Sequence, residues 1–213
     1  MIQIVLVLIL AAIIFILFKK FNLVFGEEEG LEVKTPVATK MQAYTKVREE
    51  RIKRKLELDK ALEKVKSLKR QGQREKAEKV LLKLLTLFDK KPEVFYELGL
   101  LYLEDKKYKN AISTLNVAVS RDSENGFYHH ALGLAYLKSQ EYRQAAEHFD
   151  QALHFNNTIA YRWADLALSL IGLERFKEAK EAIAKALEIE PHNIRYRAIL
   201  ESVEKKIVKP QEE

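Results

Sequence analysis

His129 and His130 stand side by side, and His148 and His154 follow in the next stretch, so these four are the chain's candidates for metal or proton chemistry. Their spacing argues against both. Neighbouring residues on a helix point about 100° apart, so His129 and His130 cannot share an ion as an i, i+4 pair would, and His148 and His154 are nearly half a turn out of phase. The serines sit outside any G-x-S-x-G setting, and no G-x-G-x-x-G or other phosphate-cradling loop occurs. Glu104 and Asp105 are adjacent carboxylates where a turn between helices is expected, the ordinary place for solvated acid. Cysteine is absent, which removes disulfides, thiolate catalysis and a lipid-modified cysteine anchor. The expectation is a protein without catalytic residues, metal site or cofactor, whose function is interaction.

What must be positioned, then, is a surface, and the sequence shows how. Three 34-residue units follow without a gap, Pro92–Asn125, Gly126–Ile159 and Ala160–Asn193, and seven columns agree among them. Phe95, His129 and Trp163 share one column, followed by Leu98, Leu132 and Leu166, then Gly99, Gly133 and Ala167, then Tyr102, Tyr136 and Leu170. These positions recur at i, i+3, i+4 and i+7, one face of a helix. Ala111, Ala145 and Ala179, then Leu115, Phe149 and Ile183, then Ala118, Ala152 and Ala186 mark one face of a second helix. Each unit is a helical hairpin, and stacking hairpins covers apolar faces that a single copy would leave in water. The small residues mark the helix crossings, so Gly133 should not tolerate a larger side chain, whereas Gly172, at a helix end, should.

With those columns, Phe95-x-x-Leu98-Gly99-x-x-Tyr102 and its copies through Pro191 resemble the tetratricopeptide repeat, departing from its pattern at His129, Ala167 and Leu170. The resemblance implies an all-α, right-handed superhelix of helical pairs whose first helices line a concave binding face. It places Tyr96, Leu100 and Leu103, then Phe127, His130, Leu134 and Leu137, then Tyr161, Ala164, Leu168 and Ile171 on that face. Members that hold a partner's C-terminal carboxylate carry Lys and Asn at columns where this chain has Tyr96 and Leu100, His130 and Leu134, Ala164 and Leu168. The carboxylate clamp is missing, which leaves an apolar groove centred on Tyr96, Leu100, Phe127, His130, Leu134, Tyr161 and Leu168.

The rest of the chain reads as attachment and caps. Residues 2–18 hold one polar side chain, Gln3, and would make about 26 Å of apolar helix, so residues 1–25 are expected to be a transmembrane anchor. Positive charge follows the apolar run and none precedes it, which argues against a cleaved leader and places the repeats at the cytoplasmic face. Residues 26–39, with Gly26, Gly30 and Pro36, read as a linker, and residues 40–57 as a basic stalk helix. Residues 58–91 read as a degenerate hairpin in the same frame, with Ala61 in the column of Phe95 and Val65 in that of Gly99. Residues 194–208 read as a capping helix striped by Tyr196, Ile199, Leu200, Val203 and Ile207, and residues 209–213 as a tail.

The net charge of +6 is uneven: residues 1–39 carry −1, residues 40–91 carry +10 and residues 92–213 carry −3. Lys19, Lys20, Lys53, Arg54 and Lys55 are candidates for contact with an anionic membrane surface, against the plainer reading of a solvated helix. No aromatic residues interleave with the basic ones, so no nucleic-acid partner is expected. Three functions stay open: an adaptor or scaffold that binds a helical or apolar segment of a protein partner, a targeting receptor for amphipathic precursor segments, and a structural protein that assembles with copies of itself.

Overall fold

The computed structural model describes residues 13–17, 20 and 36–208. The chain divides into two compact units, residues 1–53 and 54–213. Residues 13–17 are helical, with all five apolar side chains exposed. Among the described residues no helix is long and apolar enough to cross a membrane; most of the apolar run expected to be an anchor, with Lys19, lies outside them.

Nine helices account for the described chain from residue 36 onward: α1 Pro36–Arg70, α2 Arg74–Leu87, α3 Pro92–Glu104, α4 Tyr108–Arg121, α5 Gly126–Lys138, α6 Tyr142–Phe155, α7 Ala160–Gly172, α8 Phe176–Ile189 and α9 Ile194–Val208. One expectation about a boundary fails. Pro36, placed above in the linker, is the first residue of α1. A proline there loses nothing, because the first N–H groups of a helix have no intrahelical partner and its fixed φ already suits the helix. Pro92 starts α3 in the same way.

The turns inside the hairpins repeat as strictly as the side chains. Gly72, Lys106, Gln140 and Glu174 all have φ between +59° and +71°, and they fall 34 residues apart. At each, two hydrogen bonds close the preceding helix: Lys106 N–H donates to Leu103 O at 3.0 Å and Lys107 N–H to Tyr102 O at 2.8 Å, with equivalents at Gly72, Gln140 and Glu174. This is the Schellman closure, which needs one left-handed residue just past the helix. Only the first hairpin supplies the residue without a Cβ penalty.

Packing follows the columns. Leu98, Leu132, Leu166, Ala111, Ala145, Ala179, Leu115, Phe149 and Ile183 are all buried, and each fully buried large side chain stabilises by about 1.5–3 kcal/mol. The first hairpin joins the same core: Leu58, Val65, Ala77, Leu81 and Leu84 cluster with Val94, Leu98 and Leu101 of α3. Tyr196 and Val203 of α9 are buried in the cluster with α8. Gly99 and Gly133 lie at close crossings. A Cβ at Gly99 would collide with Leu115, and one at Gly133 would come within 2.8 Å of Phe149. Gly172 overturns the expected contrast, because a Cβ there would run into the ring of Tyr142. A helix end is not open space when the preceding hairpin's turn leaves an aromatic ring beside it.

Candidate functional site

The residues expected on the concave face come from three first helices, and direct contacts across α3, α5 and α7 involve four of the seven central ones. Tyr96 on α3 lies 5.0 Å, centroid to centroid, from Tyr128 on α5. His130 on α5 meets Asp165 on α7 through Nε2 and Oδ2 at 2.9 Å, and its ring lies edge-on to Tyr161 at 4.8 Å. Phe127 lies over the guanidinium of Arg162 at 5.0 Å. Among them Phe127 is 55% and Tyr161 40% exposed, large aromatic surface facing water. Burial raises the phenol of Tyr96 above its usual range, and raises that of Tyr128 further, with Glu93 and Asp122 adding to the effect. Both stay neutral hydroxyls over the physiological range.

The second row is different. Leu100 packs against the α4–α5 core, and Leu134, with Leu137 and Ile171, against the core of the last two repeats. Leu134 is therefore partly a core residue rather than a free groove contact. Leu168 is half-buried and is not part of those clusters, so it is the cleaner apolar contact of that row. Lys20, Lys53, Arg54 and Lys55 are exposed.

Three features of the site region were not expected. Arg162 is 1% exposed, and its charge is met by carbonyls: Nη1 donates to Ala152 O at 2.6 Å and Asn156 O at 3.2 Å. Ala152 lies in the last turn of α6 and Asn156 caps that helix, where a cation also suits the helix dipole. The close approach explains Gly126, since a Cβ there would come within 2.9 Å of Nη1. Arg162 shares a column with Val94 and Tyr128, both buried, so its burial could have been read from the alignment of the units. Asp165, the partner of His130, shares a column with Glu97 and Ala131 and gave no such signal. The third is a histidine pair: His129 Nε2 lies 3.0 Å from Ser123 O, and its Nδ1 lies 3.1 Å from Nδ1 of His148. Among the described residues no group of three or more His, Cys, Asp or Glu is placed to hold a metal ion.

The arrangement presents aromatic and apolar side chains along stacked first helices, with its polar groups already engaged inside the fold: His130 hydrogen-bonded to Asp165, and Lys69 paired with Glu104 at 2.9 Å and with Glu97 at 3.8 Å. That chemistry is suited to holding another chain. The fold agrees with solved structures. A crystal structure of MamA superposes with a TM-score of 0.65 at 22% identity, covering 68% of this chain and 84% of that one. The first such domain of Spaghetti (RPAP3), solved with an HSP90 peptide, gives 0.54 at 22% identity over 56% of this chain and 94% of that one. The domain of Arabidopsis OM64 gives 0.52 at 22% identity, over 54% and 94%. No curated protein matches the sequence. Tetratricopeptide repeat models match residues 62–126 and 136–203, together more than half of the chain. With the 34-residue frame visible in side chains and backbone turns alike, the chain belongs to the tetratricopeptide repeat family.

Proposed function

We propose that this protein is a non-enzymatic adaptor, held at a membrane by its apolar N-terminal run with the repeats at the cytoplasmic face. Its groove binds a helical or largely apolar segment of a protein partner, in the assembly of a membrane-associated complex. The observation that carries this reading is the exposed aromatic surface of Phe127 and Tyr161 on neighbouring first helices, with His130 edge-on to Tyr161. Rigid aromatic anchors in a groove supply most of the energy in helix-in-groove binding. The RPAP3 domain was solved holding a peptide, which supports a peptide-binding role for the fold. Here Tyr96, Leu100, His130 and Leu134 stand at the clamp columns, so recognition of a free carboxylate is not supported. Asp165 and Glu97 are engaged by His130 and Lys69, which speaks against a receptor for basic precursor segments.

The test uses the full-length chain in its native membranes, with a photoreactive residue in place of Tyr161. The expected adduct is a segment of one protein, helical in pattern and apolar on one face, and its yield should fall little at high salt. Leu168→Asp would place an unpaired charge among the anchors and should cost at least about 2 kcal/mol of binding, abolishing the adduct. An adduct unaffected by Leu168→Asp, or lost at high salt in the wild-type chain, rejects the groove reading. Protease added to sealed right-side-out vesicles should leave the repeats intact; digestion there rejects the proposed orientation.

A further inference from the structure

One column of the repeat is empty in the first hairpin. Phe95 lies against Arg121 at 4.4 Å and His129 against Phe155 at 5.9 Å, so in each of those hairpins a ring from the first helix lies against the end of the second. In the first hairpin the column holds Ala61. Where the ring would be there is a cavity of about 590 Å³ between α1 and α2, walled by Ala61, Val80, Leu84, Leu87 and Phe88. Leu87 is 63% exposed, although it shares the register of Arg121 and Phe155, which the rings of their hairpins touch. The mouth is charged: Arg54, Lys64 and Lys83 stand around it with a single carboxylate, Glu57.

We infer that this slot receives an aromatic side chain from another protein, carried on a segment with carboxylates beside it. The walls are those that a repeat's own ring packs against, so the shape wanted is that of a Phe or Trp ring, and covering Val80 and Leu87 removes apolar surface from water. The three cations select the flanking charge. A second copy docking through the same face would set these cations against each other, so the occupant is a different, acidic segment.

The experiment follows the methyl signals of Val80, Leu84 and Leu87 in the full-length chain. Three probes are titrated: acetyl-Glu-Trp-Glu-amide, acetyl-Lys-Trp-Lys-amide and acetyl-Glu-Ala-Glu-amide. The first should shift all three residues saturably, the second should bind at least about tenfold more weakly, and the third should give no shift. Ala61→Phe, which fills the slot from within, should raise the melting temperature and abolish the shifts. Should that variant fail to fold, the double substitution Lys64→Glu and Lys83→Glu on the exposed rim should reverse the preference between the two Trp probes. Shifts elsewhere, equal binding of the two Trp probes, binding retained in folded Ala61→Phe, or an unchanged preference in the double variant overturns the inference. So does a slot that answers only to dihexanoyl-phosphatidylglycerol, which would make it a lipid site. None of these outcomes bears on the groove, since neither the walls nor the mouth of the slot belongs to it.

Discussion

His129 and His148 show what a single proton can hold. The Ser123 carbonyl can only accept, so Nε2 of His129 carries the hydrogen, its Nδ1 is bare, and the Nδ1–H of His148 donates to it. Burial first, and then the neighbouring His129, depress the His148 pKa below its ordinary 6.5. A histidine kept neutral by the fold stabilises it fully above the unfolded pKa, and that contribution is lost as pH falls through the folded value. The melting temperature of the full chain should therefore drop as pH falls from about 7.5 to about 5, before most carboxylates titrate. His148→Phe, stacking on Tyr136 as the imidazole does, should flatten that drop; an unchanged slope would show that the pair does not couple to folding. The sequence exposed these residues only in part. His129 was visible as a departure from an apolar column, but its partner lies 19 residues away across a hairpin, and no periodicity announces a hydrogen bond. The sequence supplied positions for the expected groove; which of them are core, as Leu134 partly is, depends on how closely the hairpins stack.

The hairpin turns carry the repeat at the level of the element. Lys106, Gln140 and Glu174 occupy a left-handed conformation that costs a residue with a Cβ about 1 kcal/mol. Gln140→Gly should raise stability by up to that amount, offset by the greater chain entropy of glycine, while Gly72→Ala should lower it by about 1 kcal/mol. Opposite signs from chemical denaturation of the two variants are the expected outcome; equal signs would mean that the turn geometry does not govern closure. At the helix crossings, Gly133→Leu and Gly172→Leu should both destabilise, by roughly 1–3 kcal/mol each, because Phe149 and Tyr142 occupy the space. Helix existence and phase were readable because seven columns agree in three copies. The Gly172 contact was not, because Tyr142 belongs to the preceding hairpin and the sequence gives no distance between turns. Pro36 was misread for a related reason: proline ends a helix from the inside but begins one from the outside, and only the structure says on which side of the boundary it falls.

In the molecule as a whole, hairpins touch their neighbours and little else: α3 meets α5 and α5 meets α7, but among the described residues the first helices of more distant repeats do not meet. Stability is then a sum of hairpins and the interfaces between them, with the α2–α3 junction thinner than the later ones. Such an object behaves mechanically as a chain of snaps in series rather than as one lock. Pulled from residues 54 and 208, the solenoid should lengthen in discrete events that each release one 34-residue hairpin, about 110–120 Å of contour before the folded length is subtracted, beginning at the α1–α2 end. A single rip of the full length would refute this. The consequence of strung snaps is tolerance of tension: attached at one end and gripping a partner along its middle, as proposed above, the protein would yield a terminal hairpin to a transient pull, keep its hold, and rewind when the load passes.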